Sequence, residues 1–236
     1  MIKAIAFDLD HTLFDRYETL KIVSKKISSV FKVNSKYNED EIFNIMQHAD
    51  RFYVHKGWDA LQEYIGSTDL FLEKLQYDQY RKFVMGEFMT VAVPFSFTIP
   101  TLKRLKEQGY KLALITNGKS ELQRSKIKML NIKEFFDEIY IGGEHPLQKP
   151  NIEPFLYVAK ELGVKPNEMA YIGDNPENDI EASRKAGCYP IHINTTKTWV
   201  LKNIAKPQYS LETVESIPEL IQQINKKGQW LTHCPF

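Results

Sequence analysis

Seven residues of this chain are of types, and at spacings, that could do chemistry. Asp8 and Asp10 stand two apart, directly after an apolar run. Alternate residues of an extended segment point the same way, so both carboxylates can face one crevice. Two carboxylates that close can divide labour: one stays ionised as nucleophile or metal ligand while the other carries a proton. Thr116-Asn117-Gly118 follows a second apolar run. A hydroxyl, an amide and a glycine ahead of a helix make a cradle for an oxyanion or a phosphate. Lys149, before Pro150, can present positive charge to a phosphate or to a carboxylate. Asp174 and Asp179, in Gly173-Asp174-Asn175-Pro176-Glu177-Asn178-Asp179, can approach one cation from a strand end and from the helical turn that follows. Oxygen ligands of this kind suit Mg2+.

Taken singly, each motif has a plain structural explanation: a solvated acidic turn, a helix cap, a surface lysine, an Asp-rich turn. Their placement argues for more. Each sits at the end of a predicted strand or at the start of the helix that follows, and ligands of open α/β sheets bind outside the carboxyl ends of the strands.

The elements that would carry them can be read from apolar patterning. Short, nearly continuous apolar runs at 2–7, 111–116, 138–141, 169–173 and 190–193 suit strands buried on both faces, as in a parallel sheet. Helical patterns lie at 98–108, 120–130, 151–162, 177–186 and 217–225, with Gly109, Gly163 and Gly187 at three of their ends. Strand and helix alternating from 98 to 194 predict a doubly wound α/β domain with a mostly parallel, Rossmann-like sheet. The tail from 228 onward is expected to be irregular. Residues 15–95 have no strand pattern and carry helix-spaced apolar residues, among them Leu20, Val23, Ile27, Ile42, Met46 and Ala49. They predict about four helices, including one over 64–75. The expected division is 1–14 with 95–236 as one domain and 15–94 as an all-α insertion.

Composition narrows the function classes. At 236 residues the chain suits one large α/β domain or a domain with an insertion. Lys+Arg is 31 against Asp+Glu 30, a net charge of +1 that argues against a nucleic-acid binder. An aromatic share of 12% with so little net charge argues against disorder. Only two cysteines, Cys188 and Cys234, exclude a disulfide scaffold and point to a reducing compartment. No Cys/His group has zinc-site spacing. No apolar run approaches the roughly 20 residues of a membrane helix, and the N-terminus lacks a signal-like apolar stretch. The expected location is the cytoplasm, with neither a membrane nor a nucleic acid as partner.

With these motifs in this order the chain resembles the haloacid dehalogenase (HAD) superfamily. Its D-x-D-x-T motif is matched by Asp8, Asp10 and Thr12, its strand-end Ser or Thr by Thr116, and its lysine by Lys149. Its acidic G-D-x-x-x-x-D motif is matched by Gly173, Asp174 and Asp179. The resemblance covers roughly 1–14 and 95–225. The insertion falls where the family's C1 cap falls, between the first and second motifs. Two departures are His11, where a small or polar residue is common, and Ile152, where Pro is frequent.

The resemblance implies an Mg2+-dependent phosphomonoester hydrolase acting on a small phosphorylated metabolite. Asp8 would attack phosphorus and form an aspartyl-phosphate, and Asp10 would protonate the leaving oxygen and then activate water. Mg2+ would be held by the Asp8 carboxylate, the Asp10 backbone carbonyl and Asp174, with Asp179 behind them or acting through a metal-bound water. Thr116, the backbone N–H of Asn117, and Lys149 would hold the phosphoryl oxygens. Asp10 argues against the carbon-attacking dehalogenases, which lack an acid there. A phosphomutase shares the whole constellation, and a non-catalytic binding protein on the same scaffold is the remaining alternative. Tyr53, His55, Trp58 and Tyr64 are candidates for lining the substrate side of a cap.

Overall fold

Ala4–Phe7 (β1) is apolar throughout and completely buried, as a strand covered on both faces must be. In the computed structural model, which describes residues 1–195 and 203–232, the chain divides into two compact units. One comprises Met1–Phe14 with Pro94–Phe236, the other Asp15–Val93.

The inserted unit carries four α-helices. Arg16–Ser24 (α1) is capped by the Asp15 side chain, which accepts from Glu18 N. Glu39–Tyr53 (α2) opens with a reciprocal Asn38–Glu41 capping box. Trp58–Ser67 (α3) and Tyr77–Phe88 (α4) complete the set. Ile42, Met46, Leu61, Ile65, Tyr80, Val84 and Phe88 form its buried interior. Arg16 and Asp50 pair within it at 2.6 Å, with the guanidinium carbon 4.9 Å from the Phe88 ring centre. The helix expected over 64–75 stops at Ser67. Thr68 is extended and its hydroxyl donates to Ile65 O, which closes the helix. Leu70 and Leu75 are buried from non-helical backbone, and this made the apolar spacing look helical for too long.

The other unit continues with Thr98–Glu107 (α5), Lys111–Thr116 (β2), Ser120–Met129 (α6), Glu138–Ile141 (β3), Glu153–Glu161 (α7) and Met169–Gly173 (β4). A π-helical turn, Pro176–Glu181, runs into Ala182–Lys185 (α8). Tyr189–Ile193 (β5), Tyr209–Leu211 (β6) and Ile217–Thr232 (α9) follow. The sheet order is β3-β2-β1-β4-β5-β6, and every neighbouring pair is parallel. This is the doubly wound order, and it reverses at β1, between β2 and β4. The crevice beyond the carboxyl ends of β1, β2 and β4 is therefore where chemistry is expected. Gly109 and Gly163 follow α5 and α7 with φ of +83° and +66°, the left-handed geometry that ends a helix without a Cβ clash.

Two further elements differ from the sequence reading. β6 is three residues long with only partly buried positions, too short to show a period. The tail is not irregular from 228: α9 passes Asn225 and runs to Thr232. A single interior glycine, Gly228, costs a helix about 1 kcal/mol and does not end it. The last four residues, with Cys234, lie outside the described residues; Cys188 is buried, and burial pushes its thiol up to about 12. Among the described residues no helix is long and apolar enough to cross a membrane.

Candidate active site

Asp8 directly follows β1, and its N–H donates to Ile172 O at 2.8 Å, so the β1–β4 pairing continues into it. Its carboxylate is buried and accepts from Lys149 Nζ at 2.7 Å. Burial pushes its pKa up to about 7; Asp179 adds to the rise and Lys149 opposes it.

Lys149 is the hub. Its ammonium donates to Asp8 Oδ1 at 2.7 Å, to Asp179 Oδ1 at 2.6 Å and to the Tyr171 hydroxyl at 2.8 Å, one acceptor for each of its hydrogens. Burial alone would pull a lysine down, but Asp179 and Asp8 outweigh it and hold Lys149 above its ordinary range. Asn117 fixes the lysine's backbone: its amide donates to Lys149 O at 2.7 Å and accepts from Lys149 N at 3.0 Å. With both polar side-chain atoms so engaged, what Asn117 can offer a phosphate is its backbone N–H.

Asp179 is sealed from solvent. Its Oδ1 accepts from Lys149 and from Tyr171 (3.1 Å), and its Oδ2 from Asn175 N (2.9 Å). It packs against Gly173 so tightly that a Cβ there would lie 2.5 Å from Asp179 Cγ. Asp174, one residue beyond β4, is partly buried. Burial, then Asp179 and Asp8, hold its carboxyl well above the usual carboxylate range. Its backbone carbonyl lies 3.1 Å from His192 Nε2, and His192 Nδ1 lies 2.8 Å from Ser210 Oγ. A carbonyl only accepts, so Nε2 carries the hydrogen.

Asp8, Asp174 and Asp179 each offer a carboxylate oxygen within 4.8 Å of the others. Asp10 is not part of that group. Its carboxylate accepts from Lys126 Nζ at 2.7 and 3.0 Å and from Gln123 Nε2 at 3.1 Å. Gln123 Nε2 also donates to Thr116 Oγ1 at 2.6 Å, at the end of β2. His11 sits at φ +61°, a left-handed conformation that a non-glycine residue adopts at some strain. This gives the departure at His11 a physical content: a residue without a Cβ would suit the turn better. Its N–H donates to Phe14 O at 3.0 Å, and its carbonyl accepts from the Thr195 hydroxyl.

The structure thus brings Asp8, Lys149, Asp174 and Asp179 into one cluster and links Thr116 to Asp10 through Gln123. Tyr171, Gln123, Lys126 and His192 were missed by the sequence reading. Tyr171 and His192 lie inside apolar strand runs and look like core there. Gln123 and Lys126 are three apart in α6, a spacing indistinguishable in sequence from a solvated helix face. Within the inserted unit, Tyr53 and Tyr64 stack at 4.6 Å and Trp58 lies 5.7 Å from the Arg81 guanidinium. The His55 side chain lies outside the described residues.

The donor set is entirely oxygen, which fits a hard divalent cation. Three carboxylates lie beside one ammonium, and burial first, then the neighbouring carboxylates, raise the pKa values of Asp8 and Asp174. Asp179 has both oxygens committed within the protein, so Asp8 and Asp174 are the better ligands.

A doubly wound sheet with a buried Asp–Lys–Asp cluster at its switch point defines an α/β enzyme. More particularly, the chain belongs to the haloacid dehalogenase-like hydrolases, whose family model matches residues 5–193. It is 31% identical over 229 residues to a glyceraldehyde 3-phosphate phosphatase of Methanocaldococcus jannaschii, covering 94% of this chain and 96% of that one. It is 29% identical to the N-acylneuraminate-9-phosphatase of Homo sapiens, covering 96% of each. Among solved structures, a predicted phosphoglycolate phosphatase from Haemophilus somnus shares the fold with a TM-score of 0.67. That match is at 24% identity, over 94% of this chain and 98% of that one.

Proposed function

We propose that this protein hydrolyses the phosphomonoester of a small phosphorylated metabolite through an aspartyl-phosphate on Asp8, with Mg2+ as cofactor. The observation that carries the reading is the buried cluster in which Lys149 bridges Asp8 and Asp179 beside Asp174. The phosphatase names of its relatives support the reaction class.

Asp8 and Asp174, with the Asp10 backbone carbonyl, would hold the cation. When bound, Mg2+ supplies charge neutralisation for the phosphate and the incoming carboxylate. The chain's own residues do the rest. An Asp8 oxygen attacks phosphorus as the bond to the leaving oxygen breaks, and Asp10 gives that oxygen its proton. Asp10 then takes a proton from water, which attacks the phosphoryl group and releases Asp8. Lys149, the Thr116 hydroxyl and the Asn117 N–H hold phosphoryl oxygens, since phosphoryl transfer depends mainly on positioning and charge. To reach a phosphoryl oxygen Lys149 must exchange one of its three present acceptors, and Asp8 is the one whose charge changes in the reaction.

We assign residues 15–94 to substrate selection, as a cap inserted between the first two motifs. A phosphonatase-type Schiff base on a lysine of the inserted unit (Lys21, Lys25 or Lys26) is disfavoured, since a charged helix face accounts for all three: Lys26 pairs with Glu87 at 2.5 Å, Lys25 lies 3.9 Å from Glu39, and Lys21 Nζ lies 6.0 Å from the centre of the Phe43 ring. The test is release of phosphate from an aryl phosphate and from a panel of phosphorylated metabolites, with and without Mg2+. Turnover that needs Mg2+ and vanishes in Asp8→Asn is expected. Metal-independent turnover, or turnover that survives Asp8→Asn, would refute the proposal.

A further inference from the structure

α6 buries two polar side chains, Gln123 and Lys126, three residues apart and so on one helix face. A lysine taken out of water needs a partner, and Lys126 has one in Asp10, both of whose carboxylate oxygens it reaches. Its ammonium also lies 4.9 Å from the centre of the Phe14 ring. Gln123 places a single nitrogen between two groups, 3.1 Å from Asp10 Oδ2 and 2.6 Å from Thr116 Oγ1.

An aspartate held by one donor can still turn about its side-chain bonds. Two donors from successive positions of one rigid helical face, one of them on both oxygens, leave it a single orientation. Gln123 fixes that orientation against Thr116, at the end of β2. We propose that Gln123 and Lys126 are positioning residues: they lock the Asp10 carboxylate at a set place relative to Thr116, so that the leaving oxygen of a phosphoryl group held at Thr116 meets the proton on Asp10. The inference rests on the phosphatase reading and deepens it, because it separates holding the substrate from delivering the proton. A misplacement of about 1 Å is enough to lower a rate by roughly 100-fold.

The experiment is a double-mutant cycle of Lys126→Met with Asp10→Asn, read as kcat and KM on an alkyl phosphate and on p-nitrophenyl phosphate. In the otherwise native protein, Lys126→Met should lower kcat on the alkyl phosphate by roughly 10–100-fold, leave KM within about twofold, and affect the aryl phosphate much less. In the Asp10→Asn background it should cause no further loss, because the group it positions is already gone. Gln123→Met leaves no unpaired charge behind and repeats the cycle should Lys126→Met fail to fold. It should also raise KM, since Thr116 loses its partner as well. Losses of equal size in both backgrounds, or losses confined to KM, overturn the proposal while leaving the functional reading intact. Absence of turnover by the unsubstituted protein on every phosphate refutes the functional reading, and this inference with it.

Discussion

Lys149 Nζ lies 2.6 Å from Asp179 Oδ1, and both side chains are almost completely sealed from water. Asp179 thereby anchors the lysine that also touches Asp8. Removing one partner of a buried pair leaves an uncompensated charge, typically at about 3–5 kcal/mol. Lys149→Met should be the more damaging change, since it leaves Asp8, Asp174 and Asp179 facing one another without a cation. A fall in Tm of order 10 °C is expected at this chain length. Thermal melts of Lys149→Met and Asp179→Asn check this, and a Tm within a degree or two of the unsubstituted protein would contradict it.

Asp8→Asn should separate chemistry from folding. The amide is a poor nucleophile and carries no charge for a cation, so turnover should disappear. The raised pKa of Asp8 means that its ionised form is unfavourable where it sits, so Tm measured without metal should be unchanged or higher. More than a few per cent of residual turnover would exclude Asp8 as nucleophile.

Asp10→Asn keeps the backbone carbonyl and removes proton transfer. On alkyl phosphates kcat should fall by roughly 10²–10⁴-fold, with a smaller loss on aryl phosphates, whose leaving groups need less protonation. The comparison is informative where formation of the intermediate limits both rates. Equal losses on the two substrate types under that condition would remove Asp10 from the acid role.

Metal and proton should compete at the cluster. Burial pushes Asp8 up to about 7, and Asp174 is held well above the carboxylate range by burial, Asp179 and Asp8. For an acid whose folded pKa is raised, the stability it contributes is fully present below the unfolded value near 3.8 and is lost as pH rises through the folded one. The metal-free protein should therefore lose the Asp8 contribution to Tm as pH rises from about 4 to about 7. Mg2+ held by Asp8 and Asp174 would require them deprotonated, so the Tm gained on adding it should be larger near pH 8 than near pH 6. Thermal shifts with EDTA or Mg2+ at the two pH values measure this, and an equal gain at both would tell against Asp8 and Asp174 as ligands.

Gly173→Ala tests the packing behind the cluster. The new Cβ would lie 2.6 Å from Asp179 Cβ and 2.5 Å from its Cγ, so Asp179 must move. Overpacking of this kind typically destabilises by about 1–3 kcal/mol, and here it also shifts the anchor of Lys149. Tm and kcat should fall together. A variant with native values of both would mean that Asp179 can move without consequence.

Much of this architecture was legible along the chain. Five strands are nearly continuous apolar runs because both faces of a parallel sheet are covered, and Asp8, Thr116 and Asp174 were readable as strand-end residues for that reason. The inserted helical unit was visible through its change of period. What could not be read is which polar side chains meet. Lys126 and Asp10 are 116 residues apart, and Lys149 and Asp8 are 141 apart. No local pattern links such positions. That the Asn117 side chain clamps the backbone of Lys149 could not be read from its place before Gly118, and Gln123 and Lys126 resembled solvent-facing residues of an ordinary amphipathic helix. Periodicity reports which face of an element is apolar, because burial is a property of the element. Which neighbour a buried polar group finds depends on how helices and strands pack, and only the tertiary structure decides that.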